Sequence, residues 1–458
     1  MRLVTATLVA LFFTFAANAQ VADSTSTDST SFKHFLRAGQ FHVQANAFFV
    51  ATDNEAPLKD FYCVAAGAGA SYETARWKGF QVGAGGFFTY GVNTNISKPD
   101  SLTGAPSRYE VLLLDVEHPS RRDALRFEQL YLKYNLGKSF AQVGRFVLQT
   151  PFVNKQEGRM RPTAEEGVWL EVNQIKNLKL QAGWLWAISP RATTRWFSMP
   201  SSVGVYPVGV DVYGVKSKYQ HNIKSSGVAL VGAGYRYKNF KVDAWDNFFE
   251  NVLNTSLLQI EQEKKLKDNE RLFVGAMWIH EETVNRGGNA DSSKTYSQRE
   301  NRSNVISARA GFASNRFNAS LNYTYITNES RYLNPREWGY DPFYTFMQRE
   351  LNEGFGGVHA LVVKTEWYSK SKSFRVGVAY GQYRLPDVKN YRLNKYGMPS
   401  YDQLNVDFRY AFAKTTKGLS VQGLLVYKGK QAETYGNERY VINKVNLFNY
   451  NVALDYSF

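Results

Sequence analysis

Asn446-Leu-Phe-Asn-Tyr-Asn-Val-Ala-Leu-Asp-Tyr-Ser-Phe458 ends the chain, and from Tyr450 on every second residue is apolar: Tyr450, Val452, Leu454, Tyr456 and Phe458. Between them stand Asn451, Ala453, Asp455 and Ser457, all small or polar. A period of two sends successive side chains to opposite faces of a strand, so one face meets an oily surrounding and the other a wet one. A strand of a soluble sandwich alternates in the same way, so the decision passes to the rest of the chain.

The pattern recurs upstream. Phe317, Ala319, Leu321, Tyr323 and Tyr325 alternate with Asn318, Ser320, Asn322 and Thr324, and Leu404, Val406, Phe408, Tyr410 and Phe412 alternate with Asn405, Asp407 and Arg409. Extended over the chain, it predicts strands at 40–50, 61–74, 79–91, 125–135, 139–149, 166–173, 177–189, 226–237, 240–249, 254–264, 270–281, 303–313, 316–328, 358–369, 373–384, 402–413, 418–429 and 444–458, eighteen in all. The faces of 125–135, 254–264 and 270–281 are ambiguous. Most segments have the roughly 9–11 residues that a tilted strand needs to cross a hydrocarbon layer. Connections mostly alternate between short and long, with 250–253 short where a long one is due. Tight turns at one end and long loops at the other belong to transmembrane barrels, and a sandwich has no reason to keep them. The fold class expected is an all-β antiparallel barrel. Its last strand must pair with the first near Gln40 to Val50, because an open edge in lipid leaves backbone groups unsatisfied. The closing stretch also resembles the last strand of bacterial outer-membrane barrels, which implies that Phe458 is a signal to the barrel assembly machinery.

Residues 1–19 carry Arg2, an apolar run from Leu3 to Ala17 and the Ala17-Asn18-Ala19 cleavage pattern, and so read as a signal peptide. Residues 20–38 include a Ser/Thr/Asp tract and read as a flexible linker, leaving 39–458 as one barrel domain. About twenty linker residues are too few for a folded plug, which argues against an energised receptor. The single cysteine, Cys63, excludes an internal disulfide. Tyr (29) and Phe (31) are abundant, as in a wall with aromatic girdles. A net charge of +15, from 55 basic and 40 acidic residues, has little to do with nucleic acid in an exported chain. It suits a positive field in a pore, or contact with outer-membrane lipid and lipopolysaccharide.

Catalytic constellations are missing. Pro200-Ser201-Ser202-Val203-Gly204 lacks the first glycine of a nucleophile elbow, and His280-Glu281-Glu282 has Val284 where a zinc-binding helix needs its second histidine. Gly67, Gly69, Gly83, Gly85 and Gly86 fall within strands, where they relieve crowding and cradle no phosphate. No enzyme, cofactor or metal is expected. Face assignment instead selects luminal cations, namely Arg145, Lys179, Arg236, Lys241, Arg309, Lys364, Arg375, Arg409 and Lys428, against fewer luminal acids, Asp243, Glu366, Asp407 and Asp455. Such a column offers successive weak sites to a carboxylate or phosphate. Neutralisation of local acids is the competing reading of the same residues.

One segment carries a resemblance. Gly144-Arg145-Phe146-Val147-Leu148-Gln149-Thr150-Pro151 followed by Glu157-Gly158-Arg159-Met160-Arg161-Pro162-Thr163-Ala164-Glu165-Glu166-Gly167-Val168, with Ile188-Ser189-Pro190-Arg191 and Ala244-Trp245-Asp246 to Asn251-Val252, is similar to the OprD family of outer-membrane porins. The resemblance implies a monomeric eighteen-stranded barrel passing small nutrients, often carboxylates, through a constriction of inward-folded loops guided by Arg and Lys. Its matching positions are Arg145, Arg159 and Arg161, the last two near the eyelet. The expectation is therefore an anion-favouring diffusion channel for small solutes in a Gram-negative outer membrane. A barrel enzyme or adhesin, with its activity in loops such as 329–357, is the alternative.

Overall fold

The structure is a computed structural model and describes residues 31–156, 160–267, 269–350, 352–413 and 416–457. The signal segment 1–19, most of the linker, Arg159 and Phe458 lie outside the described residues. The strands are β1 (Gln40–Asn54), β2 (Phe61–Glu73), β3 (Phe80–Thr94), β4 (Asp123–Leu136), β5 (Ser139–Phe146), β6 (Ala164–Val172), β7 (Leu178–Ser189), β8 (Phe197–Ser198), β9 (Val228–Tyr237), β10 (Phe240–Phe249), β11 (Leu253–Lys265), β12 (Arg271–Thr283), β13 (Arg302–Ala313), β14 (Phe317–Ile326), β15 (Val358–Tyr368), β16 (Phe374–Arg384), β17 (Tyr401–Ala411), β18 (Leu419–Lys430) and β19 (Leu447–Ser457). Eighteen of them build the wall, and β8 is a two-residue strand on the end of β7, which pairs directly with β9.

Every pairing is antiparallel, and β19 returns to β1 from Gln44 opposite Ser457 to Asn54 opposite Leu447. Closure removes the sheet edge, so each wall strand has a hydrogen-bonding neighbour on both sides. The alternation read in the last stretch holds: Tyr450, Val452 and Leu454 are exposed on the outer surface, while Leu447, Asn449, Asn451 and Ala453 are buried inside. Outside, the wall presents Phe127 (66% exposed), Leu130, Val231, Val274 and Leu321, a surface stable only in lipid. Aromatic rings edge this band at both rims, with Phe80, Tyr134 and Tyr237 at the short-turn end and Tyr90, Trp278 and Tyr450 at the long-loop end.

Inside, the glycines of β2 and β3 do what the sequence suggested. A Cβ at Gly67 or Gly69 would strike the ring of Phe87, and one at Gly83 the ring of Tyr131. The strand at 270–281 is now settled, with Met277, Ile279 and Glu281 facing in and Trp278 and His280 out, so the histidine and the following glutamate of His280-Glu281 lie on opposite sides of the wall. Loops from the long-loop rim enter the barrel and pack apolar side chains such as Phe343, Met347 and Phe355 against inward wall residues Ile279, Val305, Val358 and Val362. One expectation is corrected in part: within the segment read as a flexible linker, Phe32–Arg37 forms a short helix, α1, docked on the turn between β2 and β3.

Candidate functional site

The 327–357 connection folds into the lumen, and its Tyr344–Arg349 segment runs along the inner faces of β15 to β19. Main-chain carbonyls placed there need donors, because bulk water is largely excluded. Wall side chains supply them. Lys364 Nζ donates to the carbonyls of Tyr344 (2.8 Å) and Phe346 (2.7 Å), and the Tyr383 hydroxyl to that of Thr345 (3.0 Å). The amides of Gln403 and Asn405 donate to the Gln348 carbonyl at 2.7 and 3.2 Å, and Lys428 Nζ to that of Arg349 at 2.5 Å. Arg349 then projects its guanidinium onto β19, donating to Asn449 Oδ1 (2.8 Å) and to Asn451, with the ring of Tyr109 5.6 Å away.

Across from this segment, a bulge in β4 matters. Gly86 pairs with Phe127 and Gly85 with Gln129, so Glu128 is the extra residue and turns inward beside Arg126. Arg126 is saturated: Nη2 donates to Glu128 (2.8 Å) and the Pro162 carbonyl (2.5 Å), and Nη1 to Ser189 Oγ (3.0 Å) and the Pro190 carbonyl (3.1 Å). Its electrostatic neighbour Arg161 is 2% exposed, and none of the Arg161 guanidinium nitrogens has a hydrogen-bond partner among the described residues. Burial, joined by the like charge of Arg126, pushes Arg161 down to about 9. Tyr206 is an electrostatic neighbour of Arg161 and is hydrogen-bonded to Arg191, whose Nε has no hydrogen-bond partner among the described residues. Arg349 feels Arg191 as a like charge, and burial pushes it down to about 10. Burial and Arg108 push Lys444 down to about 7. The acids among these cations are Glu110, Asp115, Glu128, Glu165 and Glu350, and burial holds Glu350 up at about 8. The result is a cationic strip with an electrostatic deficit of acids.

The wall cations nearer the short-turn rim are different. Arg309 is paired with Glu261, and Lys241 with Asp243 (2.6 Å) and Glu261 (3.4 Å). Arg375 sits between Asp407 (2.6 Å) and Glu366 (3.5 Å), and Lys179 on Glu171 (2.9 Å). Arg309, Lys364, Tyr344, Glu366 and Asp407 line a cavity of about 360 Å³ below the inward loop.

Of the residues selected from sequence, Arg309, Arg375, Arg409 and Lys364 face the lumen. Lys364 is an anchor for the loop, and Arg409 is exposed with Asp455 as its electrostatic partner. Arg161 is in the buried cluster; Arg159 and Phe458 lie outside the described residues. Arg145 corrects its assignment. It is the cross-strand neighbour of outward Leu130 and pairs with Glu166 (2.8 Å) under the ring of Trp196, on the outer face at the long-loop rim, while Phe146 takes the inward place. A basic residue held by an acid and capped by indole is tolerable there, close to the interface. Arg126, Arg191, Arg349 and Tyr109 were missed as site residues. The bulge breaks the period that would have found Arg126, and the others sit in irregular loops that carry no period; only the Ile188-Ser189-Pro190-Arg191 block pointed toward one of them.

Known proteins agree with this architecture. The sequence profile described as outer membrane porin, OprD family, matches residues 35–340. No curated protein matches the sequence. Among solved structures, Pseudomonas aeruginosa OpdK with vanillate superposes with a TM-score of 0.68 at 14% identity, covering 93% of this chain and 99% of that one. Pseudomonas aeruginosa OccK2 (OpdF) in complex with glucuronate gives 0.68 at 12%, covering 93% and 99%. Acinetobacter baumannii OccAB1 gives 0.70 at 14%, covering 95% and 99%. At such identities the superpositions speak for the fold alone, whereas the profile spans well over half of the chain. The chain belongs to the OprD family of outer membrane porins.

Proposed function

We propose that this porin passes small solutes by diffusion and favours anionic, carboxylate-bearing ones, selected by the cationic strip of Arg126, Arg161, Arg191 and Arg349. The observation that carries the reading is Arg161, a buried guanidinium whose three nitrogens have no hydrogen-bond partner among the described residues, beside a second arginine. Such a charge is costly without a counter-charge, and a carboxylate passing within reach supplies one with two-point geometry. The Tyr109 hydroxyl, buried and without a hydrogen-bond partner among the described residues, adds a neutral donor beside Arg349. Weak successive sites attract a solute without trapping it. Vanillate and glucuronate, held by two of the structural neighbours, are both carboxylates, which supports the same solute class here. The barrel works as a monomer in this reading, as the family resemblance implies. The test is reconstitution. In a planar bilayer under a salt gradient the protein conducts with an anion-biased reversal potential. In liposome swelling, an anionic solute outruns a neutral and a cationic solute of matched size, and an Arg159→Ala, Arg161→Ala double variant narrows that gap. Absence of conductance would overturn the channel; cation bias would overturn the selectivity.

A further inference from the structure

At the short-turn rim, which faces the periplasm in this family's topology, α1 lies against the outer face of the wall. Tyr72, on the outward set of β2 opposite Phe41, donates its hydroxyl to the Leu36 carbonyl (2.7 Å) and accepts from the Gly39 amide (3.1 Å). The Ala75 amide donates to the Phe35 carbonyl (3.2 Å), and Phe35 and Phe32 pack on Trp77 with centroids 5.9 and 5.4 Å away. Phe35 is buried by this docking, at 6% exposed. Phe32 (56% exposed) and Leu36 (51% exposed) remain uncovered, in line with the outward row of Phe41, Phe80 and Tyr134 that already faces lipid. The polar side is all of one sign: Lys33, Arg37, Arg76 and Lys78, with His34 and no acid in 31–39 or 74–79. The nearest acid in sequence, Glu73, points into the lumen, bound by Tyr131 (2.5 Å) and Lys133 (3.5 Å). Arg76 keeps a buried guanidinium nitrogen without a hydrogen-bond partner among the described residues.

We propose that α1 and the 74–79 turn form a docking site for an anionic phospholipid of the inner leaflet, its acyl chains against Phe32 and Leu36 and its phosphate among Lys33, Arg37 and Arg76. A short amphipathic helix with aromatic and aliphatic residues on one side and cations on the other lies in the plane of a membrane interface. Here the barrel fixes its depth, because Tyr72 and Trp77 belong to the wall and its turn. Juxtamembrane basic residues attract anionic headgroups, and each contributes modestly, so a cluster is needed.

The full mature chain tests this, since the buried Cys63 is shielded from labelling. A bimane label on Leu36→Cys, in nanodiscs of phosphatidylethanolamine with brominated phosphatidylglycerol, should be quenched about as strongly as the same label on lipid-facing Phe41→Cys. Native mass spectrometry should show a phosphatidylglycerol adduct that falls about fivefold in a Lys33→Gln, Arg37→Gln, Arg76→Gln variant with heat-modifiable migration intact. The site is overturned if the Leu36→Cys label answers to an aqueous quencher and not to lipid bromine. It is equally overturned if phosphatidylcholine is retained as well as phosphatidylglycerol, or if the variant keeps its adduct. Conductance has no part in this outcome.

Discussion

Two sets of cations share the inside of this barrel. Arg309, Arg375, Lys241 and Lys179 stand on regular strands, each within 3.5 Å of a carboxylate. Arg161, Arg191 and Arg349 stand on loops, and each lies beside another cation or shares one: Arg161 feels Arg126, and Arg349 feels Arg191, as a like charge. The first set is close to neutral, so it keeps a wide lumen wet and gives a passing anion little reason to linger. The second set has a deficit of acids in a confined, poorly solvated place, where each charge acts over a longer distance. A positive residue on an inner face is therefore a poor guide to selectivity until its counter-charges are counted. Of the two sequence readings of the luminal cations, neutralisation describes the wall set, and the proposed selectivity rests on the loop set.

The contrast can be broken or sharpened by substitution. The largest effect is expected at Arg349→Ala: the anion-over-cation permeability ratio, from reversal potentials, should drop about fivefold, equivalent to roughly 1 kcal/mol of electrostatic preference. Next is pH. Burial raises Asp341 to about 7 and Glu350 to about 8, so both are largely protonated at pH 6 and charged at pH 9. Anion preference should decline about threefold over that range, as charge appears beside Arg349, and an Asp341→Asn, Glu350→Gln variant should flatten the profile. The sign carries over to stability. The native chain holds protons that an unfolded chain releases near pH 4, so the contribution of the packed loop falls from about pH 4 upward and is lowest above pH 8. Limited proteolysis within 340–352 should accordingly be faster at pH 9 than at pH 6. A smaller effect, about twofold in permeability ratio with noisier current, is expected for Asn451→Ala, which frees the Arg349 head without removing it. The smallest is Arg375→Ala, below about 1.5-fold, because its charge is already shared between Asp407 and Glu366.

The barrel itself was legible from the chain, because lipid outside and a wet lumen inside impose a period of two on every strand. Each of the eighteen segments read from that period appears in the wall, and β19 closes on β1 as the need for a paired edge requires. The inward loop and its cations were legible only in part. At Arg145 the period misled, since an outward ion pair beneath Trp196 replaces the lipid-facing apolar residue that alternation assumes. At Arg126 a single extra residue, Glu128, shifted the face of half a strand. Arg349 lies in an inward loop whose direction depends on donors from four separate strands, those of Lys364, Tyr383, Gln403 and Lys428, and a linear pattern holds no record of those contacts. The closing strand taught the same lesson. The small and polar residues of its inner face carry no sign of a partner in the sequence, yet Asn449 and Asn451 are what hold the Arg349 guanidinium.

The most direct test pits the two sets against each other in the same bilayer. Reversal potentials under a tenfold salt gradient would be measured for the parent protein, for Arg161→Ala, Arg349→Ala and for Arg309→Ala, Arg375→Ala, each removing two charges. The account predicts that the loop pair loses most of its anion bias while the wall pair stays within about twofold of the parent. Equal losses in both variants, or a greater loss from the wall pair, would contradict it.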